Sequence, residues 1–234
     1  MENYPTTCVS GYWKIGNKHG NKFENWFNKT LKINCPYVFF GNKDTIEMVK
    51  KYRGNLPTHY IELNIEDFVT YKYKDRMVTH PRHCPSVELN LVWNEKIFMI
   101  YKAFQINPFS SEYFCWVDAG ICIFRNNPPP NKPFPDITKL QKLPKDKFIF
   151  SSCTDYNPND SRYYYKMSYI TGTYILHKNI ILMFTALYKI YSDILIDKNN
   201  IWTDQVILTH IYRDRKNLFY KMCHGYGRII LDLY

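Results

Sequence analysis

Asp118, Asp204 and His224 are the residues whose types and surroundings can do chemistry in this chain. Asp118 follows the run Tyr113-Phe114-Cys115-Trp116-Val117, an apolar, aromatic and β-branched stretch that reads as an interior strand. In open α/β sheets, ligands bind beyond the carboxyl ends of such strands. A hard divalent cation takes oxygen ligands and often shares a carboxylate with substrate phosphates, so Asp118 stands where a metal or a nucleotide is held. The plainer reading is a turn cap before Gly120. Asp204 and Gln205 open an expected helix, where the macrodipole favours a carboxylate. The same pair can take a proton from an acceptor hydroxyl or hydrogen-bond to it. His224 sits between Cys223 and Gly225, in a turn rather than on an apolar face. Imidazole binds Mn²⁺, and glycine neighbours let backbone approach phosphate oxygens; a surface-turn histidine is the alternative.

Other chemistries lose support. Gly-x-Ser-x-Gly, the P-loop and Gly-x-Gly-x-x-Gly do not occur in the sequence. His80, His83 and Cys84 match no structural zinc spacing and lack a second cysteine pair.

The elements that must position these residues follow from periodicity. Residues 6–13 read as a strand opening into a polar loop through Lys22, over which a ligand can lie. Phe23, Trp26, Phe27, Thr30 and Leu31 recur at helical spacing. Residues 36–41 predict a buried strand, 45–52 a helix and 59–63 a further strand, the β-α-β-α-β order of helices packed on a mostly parallel sheet. From Val87 to Gln105, Trp93, Ile97, Ile100, Tyr101 and Phe104 share one helical face, and Asn107-Pro108 stops the helix. Residues 126–135 form a proline-rich connection, read as a loop within one domain covering residues 1–234. Beyond it come a strand at 147–153, a strand at 168–176 interrupted by Thr171-Gly172-Thr173, and helices at 180–196 and 203–213. Gly172 inside a strand marks a close approach by backbone or ligand. Residues 222–227 read as a turn before a final apolar strand.

With 234 residues, 45% hydrophobic and 18% aromatic, the chain can bury a large core. Its net charge of +10 is compatible with a nucleic-acid, membrane or phosphorylated partner. No run of five basic residues occurs, however, and Lys, Asn, Ile and Tyr all have A/T-rich codons, as in the genomes of large DNA viruses. Nucleic acid is therefore not the expected partner. The N-terminus has no apolar secretory core, no apolar stretch approaches the length of a transmembrane helix, and the seven scattered cysteines suit reduced thiols. A cytoplasmic protein is expected.

Taken together, these segments resemble the HtrL/YibB (WlaTC/HtrL) family of glycosyltransferase-like proteins, found in bacterial surface-glycan loci and some giant viruses. The resemblance is carried by Gly11-Tyr12-Trp13-Lys14-Ile15-Gly16, Phe23-Glu24-Asn25-Trp26-Phe27, the helix with Trp93, Lys96 and Ala103, Asn107-Pro108-Phe109, Trp116-Val117-Asp118-Ala119-Gly120, Thr171-Gly172-Thr173 and Thr203-Asp204-Gln205. It implies an α/β GT-A-like fold, a Rossmann-type mostly parallel sheet with helices on both faces. The activity it implies is transfer of a sugar from a nucleotide-diphosphate donor, a UDP-sugar, to a glycan or protein hydroxyl. The work would be done in the cytoplasm, the host's for a viral chain. GT-A enzymes hold Mn²⁺ or Mg²⁺ with Asp-x-Asp; here Asp118 keeps the first acid and Gly120 replaces the second. By analogy His224 completes the metal shell with Asp118. The resemblance assigns Gly11 and Tyr12 to the nucleotide base and ribose and Lys96 to sugar or phosphate. Asp204 with Gln205 go to the donor sugar or acceptor, Asp204 as candidate base. Gly120, Gly172 and Gly225 fall on the donor side. Where family members carry Arg after Ile-Gly, this chain has Asn17-Lys18, so Lys14 or Lys18 takes the phosphate contact. The competing readings are a catalytically inactive nucleotide-sugar-binding module and a single-strand binder stacking bases on Tyr163-Tyr164-Tyr165-Lys166.

Overall fold

Runs of aromatic and β-branched residues pair edge to edge where both faces can be covered by helices. The computed structural model describes residues 4–161, 168–198 and 203–234; Tyr163–Lys166 lie outside the described residues. Its strands are β1 (Thr6–Tyr12), β2 (Tyr37–Gly41), β3 (Thr58–Glu62), β4 (Tyr113–Trp116), β5 (Phe148–Ser152), β6 (Ile170–His177) and β7 (Phe219–His224). Between and after them come helices α1 (Phe27–Thr30), α2 (Lys43–Arg53), α3 (Val87–Ile106), α4 (Ile137–Leu140), α5 (Lys178–Lys198), α6 (Asp204–Asp214) and α7 (Arg228–Leu233). The strands form one sheet in the order β3-β2-β1-β4-β6-β5-β7. All neighbours are parallel except those of β6, which runs antiparallel to both β4 and β5. The mostly parallel sheet expected from sequence is thus present, with one reversed strand inside it.

Alternation along the strands divides the core. Val38, Phe40, Phe114 and Trp116 face a layer made by α3, α5 and α6, while Tyr37, Phe39, Tyr113 and Cys115 face Phe27 of α1, Val49 of α2 and Ile229, Ile230 and Leu233 of α7. Helices therefore cover both faces, and β5 and β6, which follow the proline-rich connection, join the same sheet as β1 to β4.

Two buried charges fix the helices that flank the site. Arg53, 1% exposed, donates to the carbonyls of Leu31, Ile33, Cys35 and Pro57 and to Thr58 Oγ1, and its guanidinium lies 4.1 Å from the Tyr37 ring centroid. On α3, Glu95 accepts the backbone N–H groups of Val69 and Thr70, each at 3.0 Å, and the Thr70 hydroxyl at 2.7 Å. That contact pins the 3₁₀ segment Val69–Arg76 onto the helix. Burial pushes the Glu95 carboxyl up to about 7, against the lowering pull of those three hydrogen bonds.

The local readings need four corrections. The helix expected from Phe23 is two 3₁₀ turns, Gly20–Lys22 and Glu24–Trp26, followed by the single turn α1; Asn25, Asn28 and Thr30 are weak helix formers, and the aromatic rings pack on one another instead. Residues 222–224 belong to β7, paired in parallel with β5 at Ser152↔His224. The apolar end of the chain is α7 rather than a strand. Gly225 and Gly227, at φ 114° and 70°, turn the chain between them, and Ile229, Ile230 and Leu233 recur at helical spacing and are buried. Finally, α5 is long and apolar enough by composition to cross a membrane. Its Ile181, Phe184, Tyr188 and Leu195 are core residues here.

Candidate functional site

A cleft of about 520 Å³ opens beyond the carboxyl ends of β1 and β4. The chain winds from β1 outward to β2 and β3, then returns to place β4 on the other side of β1. Such a switch point leaves a crevice between the loops of the two strands.

Asp118 lies two residues past β4. The strand's ladder continues through Val117 N–H donating to Val9 O at 2.9 Å, and the turn closes with Ile121 N–H donating to Asp118 O at 3.0 Å. Thr30 Oγ1 donates to the Ala119 carbonyl and ties the turn to α1. The Trp116 indole N–H donates to Asp118 Oδ1 at 2.8 Å. Lys96 enters from α3, only 3% exposed, with Nζ 3.1 Å from Asp118 Oδ1 and 3.9 Å from Asp204 Oδ2. Burial by itself pulls the Lys96 ammonium down, but Asp118 and then Asp204 outweigh it and the net shift is upward. Asp204 opens α6 at 1% exposure. Thr203 caps that helix, its hydroxyl accepting from Gln205 N–H at 3.4 Å and donating to Asp204 Oδ1 at 3.0 Å. Asp204 Oδ2 has no hydrogen-bond partner among the described residues. Burial raises the Asp204 carboxyl, and Lys96 offsets only part of that.

Gly172 of β6 explains how side chains from two helices and the turn after β4 converge on one strand. A Cβ there would lie 3.1 Å from Lys96 Nζ and 3.8 Å from both Asp118 Oδ2 and Gln205 Nε2. The close approach read from the strand glycine is therefore made by side chains of the site itself. Gly120 and Gly11 have packing reasons. At Gly120 a Cβ would meet the Phe23 ring at 2.7 Å, and at Gly11 the Trp13 ring at 2.9 Å.

Of the sequence candidates, Gly11, Tyr12, Lys18, Lys96, Asp118, Gly120, Gly172, Asp204 and Gln205 line this cleft; Lys14, His224 and Gly225 do not. His224 Nδ1 lies 3.0 Å from Ser152 Oγ. The structure thus brings Asp118 together with Lys96 and Asp204, not with His224. A divalent cation does not fit the groups present: among the described residues no three His, Cys, Asp or Glu side chains are grouped to hold one. Asp118 Oδ1 is already engaged by Trp116 and Lys96.

Sequence reasoning missed the cationic, aromatic end of the cleft. The Arg125 guanidinium stacks 3.7 Å from the Trp26 ring centroid and lies 3.4 Å from His19 Nε2. Burial, then Arg125 and Lys18, hold the His19 imidazole below its ordinary range. Tyr12 donates to Glu24 at 2.8 Å and stacks on Phe23 at 5.8 Å. Nothing in the spacing of His19, Trp26 and Arg125 announces this cluster, because the connection after β1 and the turn after β4 assemble it. The mutual stabilisation of Lys96 and Asp204 was equally hidden, the two being far apart in sequence.

The profile of the HtrL_YibB family, described as a bacterial protein of unknown function, matches residues 57–228. No curated protein matches the chain. Among solved structures, mouse xyloside xylosyltransferase 1 in its apo form superposes with a TM-score of 0.55 at 10% identity, covering 95% of this chain and 85% of that one. The 4-diphosphocytidyl-2C-methyl-D-erythritol synthase of Anaerococcus prevotii follows at 0.45 and 12% identity, covering 96% of this chain and 90% of that one, a likeness too weak to argue from. The architecture shared with the mouse protein is of GT-A type, a Rossmann-like sheet flanked by helices.

Proposed function

This chain belongs to the HtrL_YibB family and has a GT-A-like fold, and on that premise we propose that it transfers a sugar from a nucleotide-diphosphate donor, a UDP-sugar, to a hydroxyl of a glycan or protein. The observation that carries the reading is the convergence of Lys96, Asp118 and Gln205 on Gly172, with Asp204 3.9 Å from Lys96, beside the switch point of the sheet. The cleft volume is in the range that holds a small-molecule ligand.

In this reading the nucleotide lies along Gly11 and Tyr12, and the phosphates lie towards Lys96 with Lys18 at the rim. Gln205 and Asp204 face the sugar and the incoming hydroxyl. A carboxylate raised by burial is a better proton acceptor than one in water, and Asp204 Oδ2, buried without a hydrogen-bond partner among the described residues, is the base. Asp118 orients Lys96 and meets the donor from the open side of the cleft, its side chain being 39% exposed. Residues 1–234 act as one domain. Free thiols, with Cys8, Cys35, Cys84 and Cys115 buried, support work in a reducing cytoplasm.

The test is a thermal-shift panel of UDP, GDP and their sugars, followed by donor turnover with Asp204→Asn as the control. Stabilisation by one nucleotide class and turnover lost in Asp204→Asn support the reading. If no nucleotide or nucleotide-sugar shifts the melting temperature, it is wrong. Binding without turnover on any acceptor favours the second reading, an inactive nucleotide-sugar-binding module. That reading draws on Gly120 standing in place of a second acid.

A further inference from the structure

Lys96 occupies the space between the two carboxylates to which a divalent cation would have to bind. We infer that this cleft answers the negative charge of its ligand with the Lys96 ammonium, and that no divalent-metal site is built into it. The inference rests on the nucleotide-donor reading for the identity of the ligand; its statement about metal stands on the donor groups alone.

Mg²⁺ takes about six donors at roughly 2.0–2.1 Å in near-octahedral geometry, and Mn²⁺ prefers a similar oxygen-rich shell. Among the described residues the carboxylates that could supply those donors are partly engaged, and no third ligand is grouped with them. Asp118 Oδ1 accepts the Trp116 indole N–H at 2.8 Å and faces Lys96 Nζ at 3.1 Å, which leaves only Oδ2. Asp204 Oδ1 accepts the Thr203 hydroxyl, and its Oδ2 faces the Lys96 ammonium at 3.9 Å, so a cation bound there would stand against that positive charge. The second acid of Asp-x-Asp cannot be supplied from position 120. Even a Cβ there would lie 2.7 Å from Cε2 of Phe23, whose ring is packed between Tyr12, Trp26 and Phe27. The remaining candidate, His224, faces Ser152 Oγ through Nδ1. A metal on Asp118 Oδ2 alone would also stand beside an ammonium shielded from solvent, where charge repulsion is weakly screened.

The same groups suit an ammonium acting as the cation. Lys96 carries three N–H donors and no acceptor. Asp118 Oδ1 takes one of them at 3.1 Å, Asp204 Oδ2 stands at 3.9 Å, beyond hydrogen-bond distance, and the absence of a Gly172 side chain leaves the group open to the cleft. Lysine binds phosphate as a point charge. In the transfer, the bond between the anomeric carbon and the phosphate oxygen breaks with its electron pair staying on that oxygen, beside the ammonium. The acceptor oxygen forms the new bond to the anomeric carbon, and its proton passes to the Asp204 carboxylate.

The experiment is a MnCl₂ titration of the full chain followed by the electron paramagnetic resonance of free Mn²⁺, with calorimetric UDP binding measured in EDTA and in MnCl₂. The wild-type chain is expected to take up no Mn²⁺ in the micromolar range and to bind UDP equally within about twofold in the two buffers, well under the tenfold that 1.4 kcal/mol would give. Lys96→Met, with its fold checked by circular dichroism, is expected to bind UDP at least about tenfold more weakly. A stoichiometric micromolar Mn²⁺ site that Asp118→Asn abolishes overturns the inference, as does UDP binding that collapses in EDTA. Absence of UDP binding in both buffers counts against the donor reading instead, while Mn²⁺ uptake by the wild-type chain decides the metal question by itself, even if Lys96→Met does not fold.

Discussion

The Phe23 ring stands where a side chain on residue 120 would go, 2.7 Å from the position of a Gly120 Cβ. The loop after β1 and the turn after β4 are thereby locked together, and a residue that reads as half of a metal motif is governed by packing. Gly120→Ala should cost about 1–3 kcal/mol through overpacking. Phe23→Leu in the same chain should recover part of that loss. Urea midpoints of the two variants check both statements, and a neutral Gly120→Ala would show that the ring moves freely aside.

Gly172→Ala tests the same logic on the opposite wall. The new methyl would lie 3.1 Å from Lys96 Nζ, the far end of a flexible side chain, so the fold can accommodate it by moving the ammonium. The expected outcome is a melting temperature close to wild type with UDP binding weaker by about tenfold or more. Unchanged binding would detach Lys96 from the ligand.

Asp204→Asn is expected to lower turnover by about 10²–10⁴-fold, the range for loss of a positioned general base. Donor binding should be retained. A parallel fall in nucleotide affinity would move Asp204 from the reaction to the ligand's ground state.

Glu95 gives a pH dependence whose sign can be worked out. Its folded carboxyl lies at about 7 against an ordinary 4.5, raised by burial. A carboxyl raised on folding favours the folded state when protonated, so its contribution is complete below pH 4.5 and is lost as pH climbs through about 7. Wild type minus Glu95→Gln in unfolding free energy should therefore fall by up to about 3 kcal/mol between those limits. Paired urea titrations across that range measure it; a flat difference would show that the hydrogen bonds from Val69 and Thr70 hold the carboxyl at its ordinary value.

Arg53→Met removes the donor to four backbone carbonyls, of which those of Ile33 and Pro57 keep the N–H groups of Cys35 and Tyr37 while those of Leu31 and Cys35 lose their arginine partner. Each unpaired buried group costs about 1–3 kcal/mol when nothing replaces its partner, and partial relaxation brings the expected total to about 3–5 kcal/mol. Arg53→Lys should recover little, since an ammonium cannot span the same fan of acceptors. Equilibrium unfolding of both variants is the check.

The positions of strand-end and helix-end residues were legible where they depended on local pattern. Asp118 after an apolar run, the Trp93 to Phe104 face of α3 and the Thr203 cap of α6 all follow from spacing within one element. What spacing does not encode is which way a neighbour turns. His224 is in a glycine-rich stretch as read, yet register with β5 sets its ring against Ser152. Arg125 gave no signal because its partners, Trp26 and His19, reach it from a loop about a hundred residues earlier. The end of the chain was misread for a related reason: alternating and helical spacing are hard to separate in an apolar run as short as residues 228–233.

The reversed strand has a bearing on how the cleft adapts. β6 is hydrogen-bonded on both sides, to β4 and to β5, and splices the parallel halves of the sheet. Its amides are expected to exchange with solvent only on global opening. The wall that carries Gly172 is consequently an anvil, and in the proposed reading discrimination among donor sugars of different shape falls to the loops after β1 and β7, which can move without unzipping a ladder.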